Sequence, residues 1–215
     1  MKSLLLFCIL GGAALPLLAE DALPPPWKHQ DLGAVVTPGK ATVSSSGAFV
    51  VEGSLDLWGP ADGCHLVSRP MKGDGECIAR IASMENPGAV AHAKGSLCLR
   101  ESLEPGAKEV VLSVTASDGV QFLYRETTGG KMARVKLEPP SNDQAVVKGH
   151  FPCWLKLVRH GDTVSGYESS NGLTWQMSGE IHWELPADAF LALAASSHKP
   201  DVLTKVTFDH ISAPP

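Results

Sequence analysis

The chain has 215 residues and a formal net charge of −5, from 18 basic and 23 acidic residues. Proteins that bind nucleic acid non-specifically neutralise phosphates with Lys and Arg, so this acidic balance argues against a nucleic-acid partner. A chain of this length suits one large β-sandwich or barrel. It contains no phosphate-loop motif, and no cofactor is expected.

The amino terminus has the layout of a secretory signal peptide. Lys2 precedes an apolar stretch over 4–18, and Ala19 offers a cleavage point. The stretch is shorter than the roughly 20 residues that a membrane-spanning helix needs. We therefore predict a signal peptide over 1–19 and a secreted or periplasmic protein that has no membrane segment after cleavage. A retained membrane anchor is the alternative.

A proline-rich lead-in follows over 20–28, and the sequence predicts one β-sandwich domain over 29–215. Pro24, Pro25 and Pro26 favour an extended backbone. Short β-rich runs then alternate with turn residues, with a spacing of about ten residues that is typical of an all-β sandwich or barrel. The predicted strands span 48–58, 64–69, 76–83, 96–102, 109–116, 120–126, 131–137, 154–160, 163–169, 173–182, 190–197 and 203–211.

Four cysteines remain after the predicted signal peptide: Cys64, Cys77, Cys98 and Cys153. An even number in an exported protein permits two disulfides, whose connectivity the sequence does not determine. The alternative is buried free thiols, since a free cysteine packs as a small apolar residue. The spacing matches no zinc pattern, so no metal site is expected.

Several short strings, taken in order over about 47–211, resemble a known family. They include Leu55-Asp56-Leu57-Trp58-Gly59, Ala93-Lys94-Gly95, Trp154 to Arg159, Ser169 to Trp175, Ala194 to His198 and Phe208 to Ile211. This ordered set is similar to the β-xylosidase C-terminal concanavalin A-like domain. The resemblance implies an all-β, concanavalin A-like, two-sheet antiparallel jelly-roll sandwich. It implies much less about activity, because such folds host lectins, hydrolases and inert modules alike.

Four charged or titratable residues lie in strand centres between apolar neighbours: His65, Arg80, Arg100 and Arg125. If their strands are neighbours, these side chains line one sheet face, which in a concanavalin-like sandwich is the concave ligand face. Charged groups in strand centres need partners or water. They are therefore predicted either to form a ligand groove or to pair with Glu76, Glu101 and Glu126.

Trp58 and Trp175 are the aromatic candidates for ligand binding. A flat ring can stack on the apolar face of a sugar while polar neighbours hydrogen-bond its hydroxyl groups. The alternative is that each ring seals an edge of the sandwich core.

The clearest enzymatic pattern is the string over 180–184, which on a strand places Glu180, His182 and Glu184 on one face. Backbone rise separates positions 180 and 184 by about 13 Å, whereas a retaining glycosidase needs its carboxyl groups about 5 Å apart. The alternative is the exposed polar face of an edge strand. No catalytic residue is assigned, and no nucleophile elbow is present.

We therefore predict an exported, non-catalytic carbohydrate-recognition module whose partner is a polysaccharide or glycan. One alternative is a structural or protein-interaction sandwich of the cell envelope, with an envelope protein as its partner. Another is a divergent glycoside hydrolase that uses Glu180 and Glu184. The sequence does not determine the ligand, the oligomeric state or the choice between periplasm and medium.

Overall fold

The computed structural model describes residues 23–135, 150–182 and 184–214. The predicted signal peptide over 1–19 and Trp183 lie outside these residues. The described residues form fourteen β-strands and no helix. A helix long and apolar enough to cross a membrane is therefore not found among them.

The strands are joined mostly by short turns. In chain order they are β1 (Lys28–Leu32), β2 (Lys40–Val43), β3 (Phe49–Leu55), β4 (Cys64–Lys72), β5 (Gly75–Glu85), β6 (Lys94–Arg100), β7 (Glu109–Thr115), β8 (Gly119–Arg125), β9 (Ala133–Arg134), β10 (Cys153–His160), β11 (Thr163–Ser169), β12 (Gln176–His182), β13 (Asp188–Ser196) and β14 (Lys199–Ser212).

These strands form two seven-stranded sheets in which the pairing is antiparallel throughout the described residues. The front sheet has the order β1-β4-β13-β6-β7-β8-β9, and the back sheet has the order β12-β11-β10-β5-β14-β3-β2. The chain crosses between the sheets repeatedly, as from β3 to β4 and from β13 to β14. The predicted two-sheet antiparallel sandwich is confirmed.

Every predicted run overlaps an observed strand, whereas β1 and β2 were not predicted. Both carry exposed or half-buried residues at most positions, and their buried positions are Leu32 and Ala41. A strand with so little apolar alternation has a weak sequence signal, because its pairing depends on neighbours that are distant along the chain.

The centre of the front sheet is buried on both faces. All residues of β6 and β7 are buried, which requires cover on the side facing the back sheet and on the side turned away from it. The inter-sheet core includes Leu112, Leu155 and Phe208. A second apolar cluster lies on the outer side of the front sheet, where Leu57 and Met132 from loops cover strand residues. We call this outer side the front face.

The four cysteines are buried free thiols, so the disulfide alternative is wrong for them. Cys77 and Cys153 belong to the inter-sheet core, and Cys64 and Cys98 belong to the front-face cluster. Burial raises the pKa of Cys77 and of Cys153 to about 12. Thiols with such a high pKa stay protonated near neutral pH and are poor nucleophiles.

Two glycines of the back sheet let it approach the front sheet around Phe122, which is almost fully buried. A Cβ added at Gly166 would lie 2.4 Å from Phe122 Cδ2, and one added at Gly179 would lie 2.8 Å from Phe122 Cγ. Both distances are shorter than van der Waals contact, so the ring occupies the space that a larger residue would fill.

We expect Gly166→Ala to lower the free energy of unfolding by about 1–3 kcal/mol, the range typical of overpacking. In the double variant with Phe122→Leu, the smaller side chain makes room for the new methyl group. The combined loss is therefore expected to be smaller than the sum of the two single losses. Urea denaturation of the three variants measures these differences, and strictly additive losses would contradict the predicted contact.

Candidate functional site

A buried group of four charges closes one end of the front face. Arg100 ends β6, Glu109 begins β7 and Arg125 ends β8, and the register places the two arginines on either side of Glu109. Asp62 reaches them from the loop over 56–63. All four side chains have an exposed fraction of 0%. We call these four residues the charge quartet.

The charge quartet is a closed set of ion pairs. Asp62 accepts hydrogen bonds from Arg100 Nη1 at 2.7 Å and from Arg125 Nη2 at 2.5 Å. Glu109 pairs with Arg100, and its Oε1 lies 2.9 Å from Arg125 Nη1. Burial raises the pKa of Glu109, and the attraction of Arg100 opposes that rise. Two positive and two negative charges thus compensate one another in a fully buried position, with Glu109 Oε1 forming an ion pair but no hydrogen bond.

The arginines of the quartet also hold the loops that cover them. Arg100 Nη2 donates to the carbonyl of Glu104 at 2.9 Å, and Arg125 Nη1 donates to the carbonyl of Ala107 at 2.8 Å. Arg125 reaches the carbonyl of Gly59 as well, at 3.4 Å. The loops over 56–63 and 101–108 are therefore fixed over this end of the sheet by charge-assisted hydrogen bonds.

Arg100 and Arg125 form ion pairs with carboxylates, which is the second of the two predicted outcomes, and neither guanidinium is accessible to a ligand. Their partners Asp62 and Glu109 differ from the three expected carboxylates, Glu76, Glu101 and Glu126. The expected carboxylates lie within four residues of an arginine along the chain, whereas the observed partners come from a neighbouring strand and from a covering loop.

Arg80 lies on the outer face of the back sheet, and Trp175 contacts a lysine of that same face. Arg80 donates to both carboxylate oxygens of Asp209, at 2.6 and 2.5 Å, and thereby lowers the pKa of Asp209. Lys156 Nζ lies 4.5 Å from the ring centroid of Trp175. The sandwich separates Arg80 from Arg100 and Arg125, so the predicted row on one sheet face does not form.

His65 is 2% exposed and lies on the inner side of the front sheet. Its Nδ1 lies 2.8 Å from Asp31 Oδ1, and its Nε2 lies 3.0 Å from His29 Nδ1. Asp31 accepts from the Nδ1–H of His65, which leaves Nε2 as an acceptor for His29. Burial lowers the pKa of His65, and the hydrogen bond to Asp31 opposes this.

The other end of the front face is open and forms a pocket with a cavity volume of about 330 Å³. The floor comes from the outward-facing Lys94 of β6, Gln121 of β8 and Arg134 of β9. The walls come from residues outside these strands, namely Asp56, Trp58, His92 and His198. We call these seven residues the front pocket; of the six predicted ligand-binding residues, it contains Trp58.

Asp56 is the most strongly held group of the front pocket. Its Oδ1 accepts from Lys94 Nζ at 2.5 Å, and its Oδ2 accepts from His198 Nδ1 at 2.6 Å. Lys94 is itself 4% exposed. Both carboxylate oxygens are therefore occupied, and the side chain has one orientation.

Two residues beside Asp56 have strained backbone conformations. Leu55 has φ of 59° and His198 has φ of 61°, a region that side-chain-bearing residues seldom occupy. The amide of His198 donates to the carbonyl of Leu55 at 2.6 Å. Such strain persists only where surrounding contacts hold it, and it concentrates at ligand sites.

The two histidines of the front pocket contact each other, and each also contacts a carboxylate. The ring centroids of His92 and His198 are 5.2 Å apart in an edge contact. His92 Nδ1 lies 3.1 Å from Asp118 Oδ2, so a carboxylate holds each imidazole. No group of three His, Cys, Asp or Glu side chains suited to holding a metal occurs among the described residues.

Sequence reasoning did not assign six members of the front pocket: Asp56, His92, Lys94, Gln121, Arg134 and His198. A usable signal was present for three of them, because Asp56, Lys94 and His198 belong to separate strings of the family resemblance. The fold brings these three strings, which lie far apart in the sequence, together in the front pocket. His92, Gln121 and Arg134 had no comparable signal, since each is a single polar residue in a turn or strand.

The string over 180–184 lies on an edge, as one alternative predicted. β12 is the outermost strand of the back sheet, and Glu180 and His182 are exposed. Glu180 accepts from Ser165 Oγ at 2.7 Å. Glu184 lies beyond the end of the strand, so no carboxylate pair is formed on one strand face.

Structures with the same fold are found among solved proteins. A functionally unknown protein from Saccharomyces cerevisiae has a TM-score of 0.59 at 15% identity, covering 87% of this chain and 97% of that one. The carbohydrate-binding module CBM66 from Bacillus subtilis has a TM-score of 0.52 at 14% identity, covering 85% and 92%.

A xylan β-1,4-xylosidase from Bacillus halodurans has a TM-score of 0.57 at 16% identity, covering 90% of this chain and 40% of that chain. No protein-family model matches the chain, and no curated protein matches it. At these identities the likeness shows the fold: the chain is an all-β, concanavalin A-like jelly-roll sandwich.

We expect Asp62→Asn to lower the free energy of unfolding by about 3–5 kcal/mol, because it leaves the two buried arginines with one carboxylate. Asp188→Asn is the matched control, since Asp188 pairs with Lys72 at 3.4 Å and both side chains are about 80% exposed. That variant should lose less than about 1 kcal/mol. Urea denaturation gives both values, and similar losses would contradict a structural role for the quartet.

Acidification tests the burial of His65. Its folded-state pKa is lowered, so the stability gained from the neutral ring is present above the unfolded value of about 6.5 and lost as the pH falls through the folded pKa. In His65→Gln this titrating group is absent. We expect its free energy of unfolding to fall less steeply than that of the wild type between about pH 6.5 and 5. Parallel pH profiles would contradict the shift.

Proposed function

We propose that the front pocket is a carbohydrate-binding site and that the protein is an exported, non-catalytic carbohydrate-recognition module. The observation that carries the proposal is the half-exposed indole of Trp58, at 51% exposure, beside polar groups held in fixed positions. A sugar offers apolar C–H faces to an aromatic ring and hydroxyl groups that both donate and accept.

The polar groups of the front pocket suit both roles of a hydroxyl group. Arg134 supplies donors, Gln121 supplies a donor and an acceptor, and each carboxylate oxygen of Asp56, which already accepts one hydrogen bond, has a further lone pair. Because Lys94 and His198 already fix Asp56, little side-chain freedom is lost when a ligand binds. Such preorganisation favours affinity.

Trp58 is favoured over Trp175 because it is 51% exposed and has no cation lying over its ring among the described residues. Lys156 lies over Trp175, and Arg80 lies 5.6 Å from the ring centroid of Trp154. A cation of the back sheet therefore competes with a sugar for a face of each of these rings. Trp58 makes no such cation–π or aromatic contact within the described ranges.

The pocket supports recognition rather than hydrolysis. Asp56 is the one carboxylate among its described lining residues, and both its oxygens are engaged. Glycoside hydrolysis ordinarily uses two carboxyl groups across the scissile bond. The fold is shared with a protein described as a carbohydrate-binding module, so the proposal is compatible with the architecture. Secretion or periplasmic export and membership of the β-xylosidase C-terminal domain family are part of the same proposal.

We expect Trp58→Ala to weaken saccharide binding about thirtyfold or more, the scale of a tryptophan hot spot. The stability of the variant should change little, because the side chain is half exposed. Binding is measured by affinity electrophoresis and calorimetry against soluble polysaccharides, with reducing-sugar release followed in parallel.

Trp175→Ala is the matched control, since it removes the same side chain from the other face of the sandwich. Binding that survives Trp58→Ala and disappears in Trp175→Ala would move the site to the back sheet. Release of reducing sugar would contradict a non-catalytic role, and the absence of binding to every polysaccharide would favour an envelope interaction protein.

A further inference from the structure

The charges of the front pocket differ in sign from those of the whole chain. The chain carries −5, yet the described pocket lining contains Lys94 and Arg134 against the single carboxylate of Asp56. The electrostatic field of the whole protein therefore does not favour anions, whereas the pocket locally does.

The two cations of the pocket are used differently. Lys94 is buried and its ammonium group is committed to Asp56 at 2.5 Å. Arg134 is exposed and has no carboxylate partner among the described residues. The charge of Lys94 is thus compensated by Asp56, whereas no carboxylate of the described residues compensates the charge of Arg134.

Arg134 is placed where a ligand stacked on Trp58 can reach it. It lies on the two-residue strand β9, opposite Leu123, whose side chain belongs to the front-face cluster. The register therefore points Arg134 to the same face as Gln121, which is two residues before Leu123. Both residues line one cavity with Trp58.

We propose that the front pocket binds an anionic saccharide and that Arg134 pairs with an oxyanion of the sugar, a uronate carboxylate or a sulfate ester. The planar guanidinium matches either group by donating two parallel hydrogen bonds. The indole of Trp58 holds the ring of the same sugar. This inference rests on the proposed function and names the substrate class of that site.

The test compares pairs of saccharides whose members differ mainly in the presence of an anionic group, with purified protein expressed from the 215-residue sequence. The pairs are oligogalacturonate with its methyl ester, glucuronoxylan with unsubstituted xylan, and dextran sulfate with dextran. Calorimetry is expected to give at least about tenfold tighter binding for the anionic member of one or more pairs. The preferred pair identifies the oxyanion as carboxylate or sulfate.

Three variants separate a specific contact from a general charge effect. Arg134→Gln should remove the preference for the anionic member, and it should weaken binding of the neutral member less, because the glutamine amide still donates a hydrogen bond. Arg134→Lys should keep part of that preference, because the charge remains and the bidentate geometry is lost. Lys72→Gln removes one positive charge from an exposed side chain on β4 and should keep the full preference.

The outcomes distinguish the two proposals. Equal binding of charged and neutral members by the wild type, or a preference that survives Arg134→Gln, overturns the anionic assignment and leaves saccharide recognition standing. If the wild type binds no saccharide of any pair, both the proposed function and this inference are overturned.

Discussion

The charge quartet is the interaction on which the front face depends. Removing Asp62, Glu109, Arg100 and Arg125 from water costs several kcal/mol for each ion, and this cost is offset only when every charge is paired in good geometry. Here the four charges balance, and the spare guanidinium hydrogens bond loop carbonyls. The loops consequently have one arrangement, which covers one end of the sheet and leaves the other end open.

The loop that covers one end of the front sheet also determines which side chains line the pocket at the other end. The loop over 56–63 contributes Leu57 to the buried front-face cluster. Burial of Leu57 fixes its neighbours Asp56 and Trp58 in the lining of the front pocket. The strained turn at His198 then meets Asp56 from the opposite side. Buried residues hold the loop in place, and polar contacts fix the side chains of the pocket lining. Side chains supported in this way are positioned more precisely than side chains on unsupported loops.

The fold could be predicted from sequence because strand periodicity and turn residues are local signals, and the ordered strings gave the sheet architecture. The candidate site could be predicted less well. Whether Arg100 is exposed depends on Asp62 folding over it from a loop 38 residues away, at 2.7 Å. No local pattern encodes that contact. The sequence indicated that such arginines need partners, because burying an unpaired charge costs too much free energy. Which carboxylates serve as partners depends on the register of β6, β7 and β8 and on the covering loop.

If the front pocket binds saccharide as proposed, stability and recognition depend on partly different residues of this molecule. The charge quartet serves both, because the loop it anchors is also the wall of the front pocket. His65 and its partner Asp31 lie on the inner side of the front sheet and do not line the cavity, so they contribute to stability without contacting a ligand in the front pocket. Trp58 is 51% exposed and Arg134 is exposed as well. Ligand preference can therefore change at those two positions while the fold beneath them stays the same, which is how one sandwich scaffold accommodates different ligands.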